Sequence, residues 1–180
     1  VSGKGVPAAL FMTISKVLIR LGAVDDFSPA SILTRVNDEL AANNDAMMFV
    51  TVFLGVLDVR TGDLAYTNAG HTPPYIRRAD GDFVPVSARH GPMLGPKAGV
   101  TFDEAHTQLG TGDLLFLFTD GVTEAMNPTR ALFGESRLES LLKSLEDTQP
   151  ASVLERVRAV DGAPRAVWVA VQSRAFGPAA

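Results

Sequence analysis

The chain has 180 residues, 46% hydrophobic and 20% charged, which is enough apolar content for a packed core and too much for wholesale disorder. Its net charge of −4 leaves no broad basic surface for nucleic acid. It contains no cysteine, which rules out disulfides, thiol catalysis and cysteine-ligated zinc and fits a reducing, cytoplasmic compartment.

The length predicts one domain, over residues 1–173, with a disordered tail over 174–180. The chain opens directly on VSGKGVPAAL with no preceding strand, so the domain reads as incomplete at its N-terminus. No apolar run approaches the roughly 18 residues that a membrane span needs, and no membrane contact is expected of this domain.

In chain order, Pro7 to Leu21 is predicted helical, with Leu10, Ile14, Val17, Leu18 and Leu21 on one face and Gly22 as the stop. A second helix follows, with Ser28 as cap and Pro29 at its first position. Ile32, Leu33, Val36 and Leu40 form its apolar stripe, and Asn43-Asn44 ends it. The period then changes to that of strands. RTGD (Arg60 to Asp63) is a hairpin turn, and ADGD (Ala79 to Asp82) joins PYIRR to FVPVS. VTFDEAHTQL alternates as a further strand, with Val100, Phe102 and Ala105 among its apolar positions. GTGD turns it into the strand Leu114 to Phe118, which runs through Thr119 into an Asp120-Gly121 turn. ESRLESLLKSLED is a helix with Leu138, Leu141, Leu142 and Leu145 on one side. PASVLERVRAV is another, with Pro150 near its start, and AVWVAVQS is a last strand. Short strands joined by tight turns, with helix pairs before and after, predict an α+β fold of helices packed over antiparallel sheet.

The motifs are individually modest. SGKG (Ser2 to Gly5) lacks the upstream glycine and following Ser/Thr of a phosphate loop, though its glycines permit close approach of the Val1–Gly3 backbone to an ion or phosphate. In NAGHTPP, Gly70 and the prolines mark a shaped turn that pins His71, and a lone histidine is more often structural than catalytic. His90 and His106 have no partner spacing, and neither a histidine zinc motif nor a G-x-S-x-G elbow is present. GPMLG (Gly91 to Gly95) is a glycine-rich loop with no helix after it, which makes a weak phosphate cradle. Asp120 has two readings. It is an ordinary Asp-Gly turn residue, or it is a carboxylate delivered by a rigid strand to the rim of a core, where a metal ion can sit. One carboxylate does not hold a metal, and spacing alone names no reaction.

The segments VSGKGVPAALFM, FVTVFLGVLDVRTGDLAYTNAGHTPPYIRR, GPMLG, GDLLFLFTDGVTEAMN and FGESRL occur here in that order. Together they resemble the SpoIIE/RsbU-type branch of the PPM (PP2C-like) metal-dependent serine/threonine phosphatases, over about Val1 to Leu142. The resemblance implies a sandwich of two antiparallel β-sheets flanked by helices. It implies two Mn²⁺ or Mg²⁺ ions and a metal-activated water that attacks phosphorus, with no catalytic side chain beyond that water. Asp120 matches the metal aspartate of the family's TDG motif, and Gly121 lets the chain turn away from the ion. Val1 matches a position whose backbone carbonyl is a ligand. Gly3, Gly5, Gly70 and His71 match motif positions that shape the site.

The chain departs from the pattern twice. The aspartate that precedes the family's valine falls before Val1, and Ala166 and Val167 stand where the family has an Asp-Asp pair, with Asp161 the nearest acid. With one secure carboxylate, little phosphatase activity is expected of this chain. The implied substrate is a phosphoserine or phosphothreonine protein, a STAS-type anti-anti-sigma factor, and an upstream sensor domain is expected to act through the first two helices. The resemblance also leaves room for a homodimer. The rival reading is a pseudo-phosphatase that keeps the fold as a protein-interaction module.

Overall fold

The computed structural model describes residues 1–25, 27–42, 44–79, 81–145, 149–159 and 169–172. The chain forms two units, Val1–Asp58 with Asp63–His71 and Ala88–Gln108, and Val59–Gly62 with Thr72–Ser87 and Leu109–Ala180.

In the first unit, helix α1 (Val6–Asp25) packs on α2 (Pro29–Ala41). The Ser28 hydroxyl accepts from the Ser31 N–H at 3.2 Å, and Pro29 has no N–H to leave unpaired in the first turn, so the predicted start of α2 holds. Its stripe of Ile32, Leu33, Val36 and Leu40 is buried with Val50, Ala69, Leu94 and Phe102. Each such aliphatic side chain contributes roughly 1.5–3 kcal/mol through burial. Strand β1 (Val52–Leu57) and β2 (Asp63–Ala69) form the RTGD hairpin, closed by an Asp58 N–H bond to Asp63 O at 2.8 Å. Strand β5 (Ala105–Gln108) pairs antiparallel with β2, giving the order β1-β2-β5.

Helix α1 corrects three expectations. It runs through Gly22 to Asp25 rather than stopping at Leu21. Gly22 is a packing position, because a Cβ there would lie 3.2 Å from Ile32 Cγ2. The face turned to the core carries Phe11, Ser15, Leu18 and Ile19, whereas Leu10, Ile14, Val17 and Leu21 are exposed. The expectation that no apolar stretch reaches membrane-spanning length also changes. Val6–Val24, 19 residues of mean hydropathy 1.5, is long and apolar enough by length and composition alone.

The GPMLG loop is built into this unit rather than draped over it. Leu94 exchanges two backbone hydrogen bonds with Val50, at 2.9 and 3.1 Å. The buried Asn37 accepts from the Gly95 N–H at 3.0 Å and donates to Lys97 O at 2.8 Å. Gly95 itself, at φ +107, comes so close to Met48 that a Cβ would lie 2.8 Å from the Met48 carbonyl oxygen.

In the second unit, β3 (Tyr75–Arg77), β4 (Phe83–Pro85), β6 (Leu114–Leu117) and β7 (Val169–Gln172) form a sheet of order β4-β3-β6-β7, antiparallel throughout. The short α3 (Asp120–Thr123) follows β6, and α4 (Glu135–Lys143) and α5 (Pro150–Arg158) complete the unit. β6 is a central strand, and Leu114, Leu115 and Phe116 are all buried rather than alternating, so neither face of the strand is left to solvent at these residues. Leu114, Phe116 and Phe118 enter a core with Leu138 and Leu142 of α4 and Val153 and Val157 of α5. The rings of Phe116 and Phe118 stack at 5.6 Å, and those of Phe118 and Tyr75 at 5.9 Å. The Tyr75 hydroxyl donates to Glu139 at 3.2 Å, and burial together with the Glu139 charge pushes its pKa up to about 12.

Two strand expectations change here. VTFDEAHTQL forms a strand only over Ala105–Gln108. GTGD is not a hairpin turn, since β5 pairs with β2 and β6 with β3. Asn43, Asp161, Ala166, Val167 and the tail over 174–180 lie outside the described residues.

Candidate active site

Asp120 stands where a rigid strand ends. β6 is held on both sides, Phe118 below it is buried, and Thr119 is the extended N-cap of α3. Val122, 1% exposed, anchors the turn from inside, with its N–H on Thr119 O at 3.0 Å. The Glu124 N–H and the Thr123 hydroxyl both donate to Asp120 O, at 2.8 and 3.1 Å. The loop after α3 folds back onto it. Phe133 N–H donates to Ala125 O at 2.7 Å and Gly134 N–H to Thr123 O at 2.8 Å. Asn127 ties that loop internally, accepting from the Thr129 hydroxyl and the N–H groups of Thr129 and Ala131 at 2.8–3.0 Å. The backbone of Asp120 is thus fixed, while its side chain is exposed and its carboxylate has no hydrogen bond or ion pair with the described residues.

Gly121 does not play the expected part. It lies inside α3 and is absent from the glycines with positive φ, so the chain leaves the strand by a helical turn rather than by a glycine-only conformation.

The other predicted site residues belong to the first unit. Val1 is exposed, and the next residue is anchored, with Ser2 N–H donating to Phe49 O at 2.8 Å and Phe49 N–H to the Ser2 hydroxyl at 2.9 Å. Gly3 and Gly5 both have φ +79 and open space where a Cβ would be. Their glycine character serves backbone conformation. Gly70, at φ +69, lies under the Met93 N–H, 3.1 Å from where its Cβ would be. His71 is a loop staple. Its N–H donates to Asn68 Oδ1 at 2.8 Å, its carbonyl accepts from Asn68 Nδ2 at 3.1 Å, and its ring Nδ1 is 3.2 Å from the Thr51 hydroxyl.

The remaining histidines have partners that sequence spacing missed. His90 Nδ1 accepts from the Asn68 N–H at 3.0 Å, and its ring meets Tyr66 edge-on at 5.2 Å. His106 sits between two carboxylates, with Nδ1 3.0 Å from Asp63 and Nε2 3.6 Å from Glu104. The Asp63 hydrogen bond is the main cause that raises the His106 pKa above its ordinary value. Glu104 in turn accepts from Ser28 Oγ at 2.6 Å and Ala30 N–H at 3.3 Å, which hold its carboxyl below the usual range.

Two adjacent dications need several anionic ligands to offset their lost hydration. Among the described residues no three His, Asp or Glu side chains gather to hold a metal ion. Asp120 suits one hard cation as a single oxygen ligand, but the described donor set does not by itself make a two-ion centre.

Residues 1–162 match the sequence profile of the SpoIIE family, described as stage II sporulation protein E. The chain belongs to the SpoIIE family. Among its curated relatives, this SpoIIE-family chain is 31% identical over 169 residues to the protein IcfG of Synechocystis, covering 79% of this chain and 26% of that one. It is 31% identical over 159 residues to the phosphoserine phosphatase RsbU of Bacillus subtilis, covering 88% of this chain and 46% of the relative. It therefore spans about half or less of the length of these relatives. A solved structure of the RsbU and RsbW domains of Rv1364c from Mycobacterium tuberculosis superposes with a TM-score of 0.80 at 26% identity, covering 99% of this chain and 51% of the other. The α+β, PP2C-like fold expected from the motifs is the fold of this SpoIIE-family chain, with both sheets antiparallel.

Proposed function

We propose that the chain is a metal-dependent protein serine/threonine phosphatase domain of a bacterial signalling protein. It hydrolyses phosphoserine or phosphothreonine on a regulatory protein, a STAS-type anti-anti-sigma factor. A sensor domain in the intact protein regulates it through α1 and α2, and the reaction takes place in the cytoplasm. The observation that carries the reading is the unshared carboxylate of Asp120 at the end of a locked central strand, in a chain of the SpoIIE family. Mn²⁺ or Mg²⁺, when bound, supplies a water of lowered pKa as nucleophile. The chain's own part is to hold Asp120 in place at low reorganisation cost, because β6 and the returned loop fix its backbone.

A second reading rests on Ala166 and Val167, which occupy the positions of the family's acidic pair. On that reading the domain is a pseudo-phosphatase that binds its partner without turnover. The test uses the 180-residue chain, Mn²⁺ and a phosphorylated STAS-type protein, following phosphate release and, by electron paramagnetic resonance, the free Mn²⁺ signal. The phosphatase reading expects slow Mn²⁺-dependent release, with Asp120→Ala removing the release and weakening Mn²⁺ uptake. Unchanged release and uptake in Asp120→Ala would make Asp120 a turn residue only. Tight partner binding with no release by the unaltered chain would select the pseudo-phosphatase.

A further inference from the structure

Helix α2 is tied at three points to the segment 99–104 that leads into β5. The Gly99 N–H donates to Asp38 at 2.7 Å, and the Phe102 N–H donates to the Thr34 hydroxyl at 3.2 Å. At the N-terminal end the tie is a carboxylate. Glu104 Oε2 accepts from the Ser28 hydroxyl at 2.6 Å and from the Ala30 N–H at 3.3 Å. It thus holds the cap residue and one otherwise unpaired N–H of the first turn, where the helix dipole also favours negative charge.

The other oxygen of Glu104 faces a histidine. Strand alternation puts Glu104 and His106 on one side of the chain, and the register, Ala65 opposite His106, puts Asp63 diagonally beside the ring. Nδ1 lies 3.0 Å from Asp63 Oδ2, and Nε2 lies 3.6 Å from Glu104 Oε1. Among the described residues, Asp63 of β2 and Glu104 are the charged groups that act on the ring, and α2 adds the Ser28 hydroxyl and Ala30 N–H beyond Glu104. The shorter contact decides the tautomer. A neutral ring keeps its proton on Nδ1, where Asp63 accepts it, and turns the Nε2 lone pair toward Glu104. Lone pair and carboxylate repel. A second proton, on Nε2, reverses the sign of that contact.

We propose that His106 is a pH-operated latch for α2: with Nε2 protonated it holds Glu104, and through Glu104 the start of the helix, against the sheet, and its deprotonation loosens that end. The bond to Asp63 is the main cause that raises the His106 pKa, which moves the change toward neutral pH. Glu104 is held below the usual carboxylate range, so it stays charged while the ring titrates. The latch is therefore fully closed below the ordinary imidazole pKa and opens as pH rises through the raised one. Under the phosphatase reading, in which a sensor acts through α1 and α2, the latch makes that input depend on pH. It is read without any assay of activity, so its failure is distinct from a failure of that reading.

Amide hydrogen exchange of the 180-residue chain, followed by NMR from about pH 5.5 to 8.5 and corrected for intrinsic rates, tests the latch. The ring is half exposed, so solvent screens the contact and the effect is a few-fold one. Protection of the Ala30 and Ser31 amides should rise about two- to fivefold as His106 gains its second proton, while the Gly99 and Phe102 amides change less. Salt at about 1 M should shrink the rise. Ring ¹⁵N shifts should place the proton of the neutral form on Nδ1. His106→Gln should abolish the response, and Glu104→Gln should abolish it while the ring still titrates. The proposal is overturned if Ala30 and Ser31 stay flat through the His106 titration, or if His106→Gln keeps the response. It is also overturned if Gly99 and Phe102 follow Ala30 equally, which would be a change in global stability only, or if the neutral ring carries its proton on Nε2.

Discussion

Asp113 is 5% exposed and sits one residue before β6, the strand that ends at Asp120. Its carboxylate accepts from the Ala79 N–H at 2.9 Å, the Gly110 N–H at 2.9 Å and the Arg78 guanidinium at 2.7 Å. It therefore ties the β3–β4 turn to the turn that launches β6. In Asp113→Ala, two backbone donors lose their acceptor at about 1 kcal/mol each or more. Arg78 is half exposed, so solvent screens that ion pair and its loss adds no more than about 1 kcal/mol. The expected destabilisation is about 3 kcal/mol. In urea, with m about 2 kcal/mol/M, the midpoint should fall by about 1.5 M at unchanged m. Asp113→Asn keeps one acceptor oxygen and should lose about half as much. The pH dependence has a definite sign. Burial pushes the Asp113 carboxyl up, but the Arg78 bond and the two N–H bonds outweigh it and hold the pKa below the ordinary value. Its contribution is then present above the unfolded-state pKa and is lost as pH falls through the lowered one. The Asn variant should show a flatter acid limb. A midpoint shift below about 0.3 M for Asp113→Ala would refute the reasoning, because it would mean that the two N–H groups find other acceptors at no cost.

His106→Gln should lower the thermal midpoint most at acidic pH. The raised His106 pKa makes its contribution full below the unfolded value, and that contribution is lost as pH rises through the folded one. Scanning fluorimetry across pH 5 to 9 should therefore show the two proteins converging at alkaline pH, and a gap that widens there would contradict the assignment. Gly91→Ala should cost about 1–3 kcal/mol in urea unfolding, because the new Cβ would lie 2.2 Å from Cδ1 of the buried Phe102 ring. Asp120→Ala should leave stability within about 1 kcal/mol, since no partner among the described residues is lost; a larger drop would mean that the carboxylate serves the fold.

Local pattern and turn chemistry made much of the fold legible. The Ser28-Pro29 start and the Ile32, Leu33, Val36, Leu40 stripe of α2 need only helical period and capping to be read. The RTGD and ADGD turns likewise announce their hairpins, and the unbroken apolar run from Leu114 announces a strand buried on both faces. Asp120 was visible as a candidate because a strand end is a local feature. What the sequence could not decide was partnership between distant residues. α1 carries two faces that could each be buried, and period alone favours the larger side chains of Leu10, Ile14, Val17 and Leu21. The structure instead buries the face with Phe11, Ser15, Leu18 and Ile19, on which Gly22 lets Ile32 of α2 come close. GTGD has the chemistry of a turn, but which strands it separates depends on pairing across the whole chain. Asp113 and His106 looked like turn and strand residues, and only long-range packing brings Arg78 and Ala79 to the one, and Glu104 and Asp63 to the two sides of the other. Period and turn preference act over a few residues and are written in the sequence itself. The choice of which apolar face is covered, and which charges meet, is made by close packing between segments far apart in the chain, and only the tertiary structure contains it.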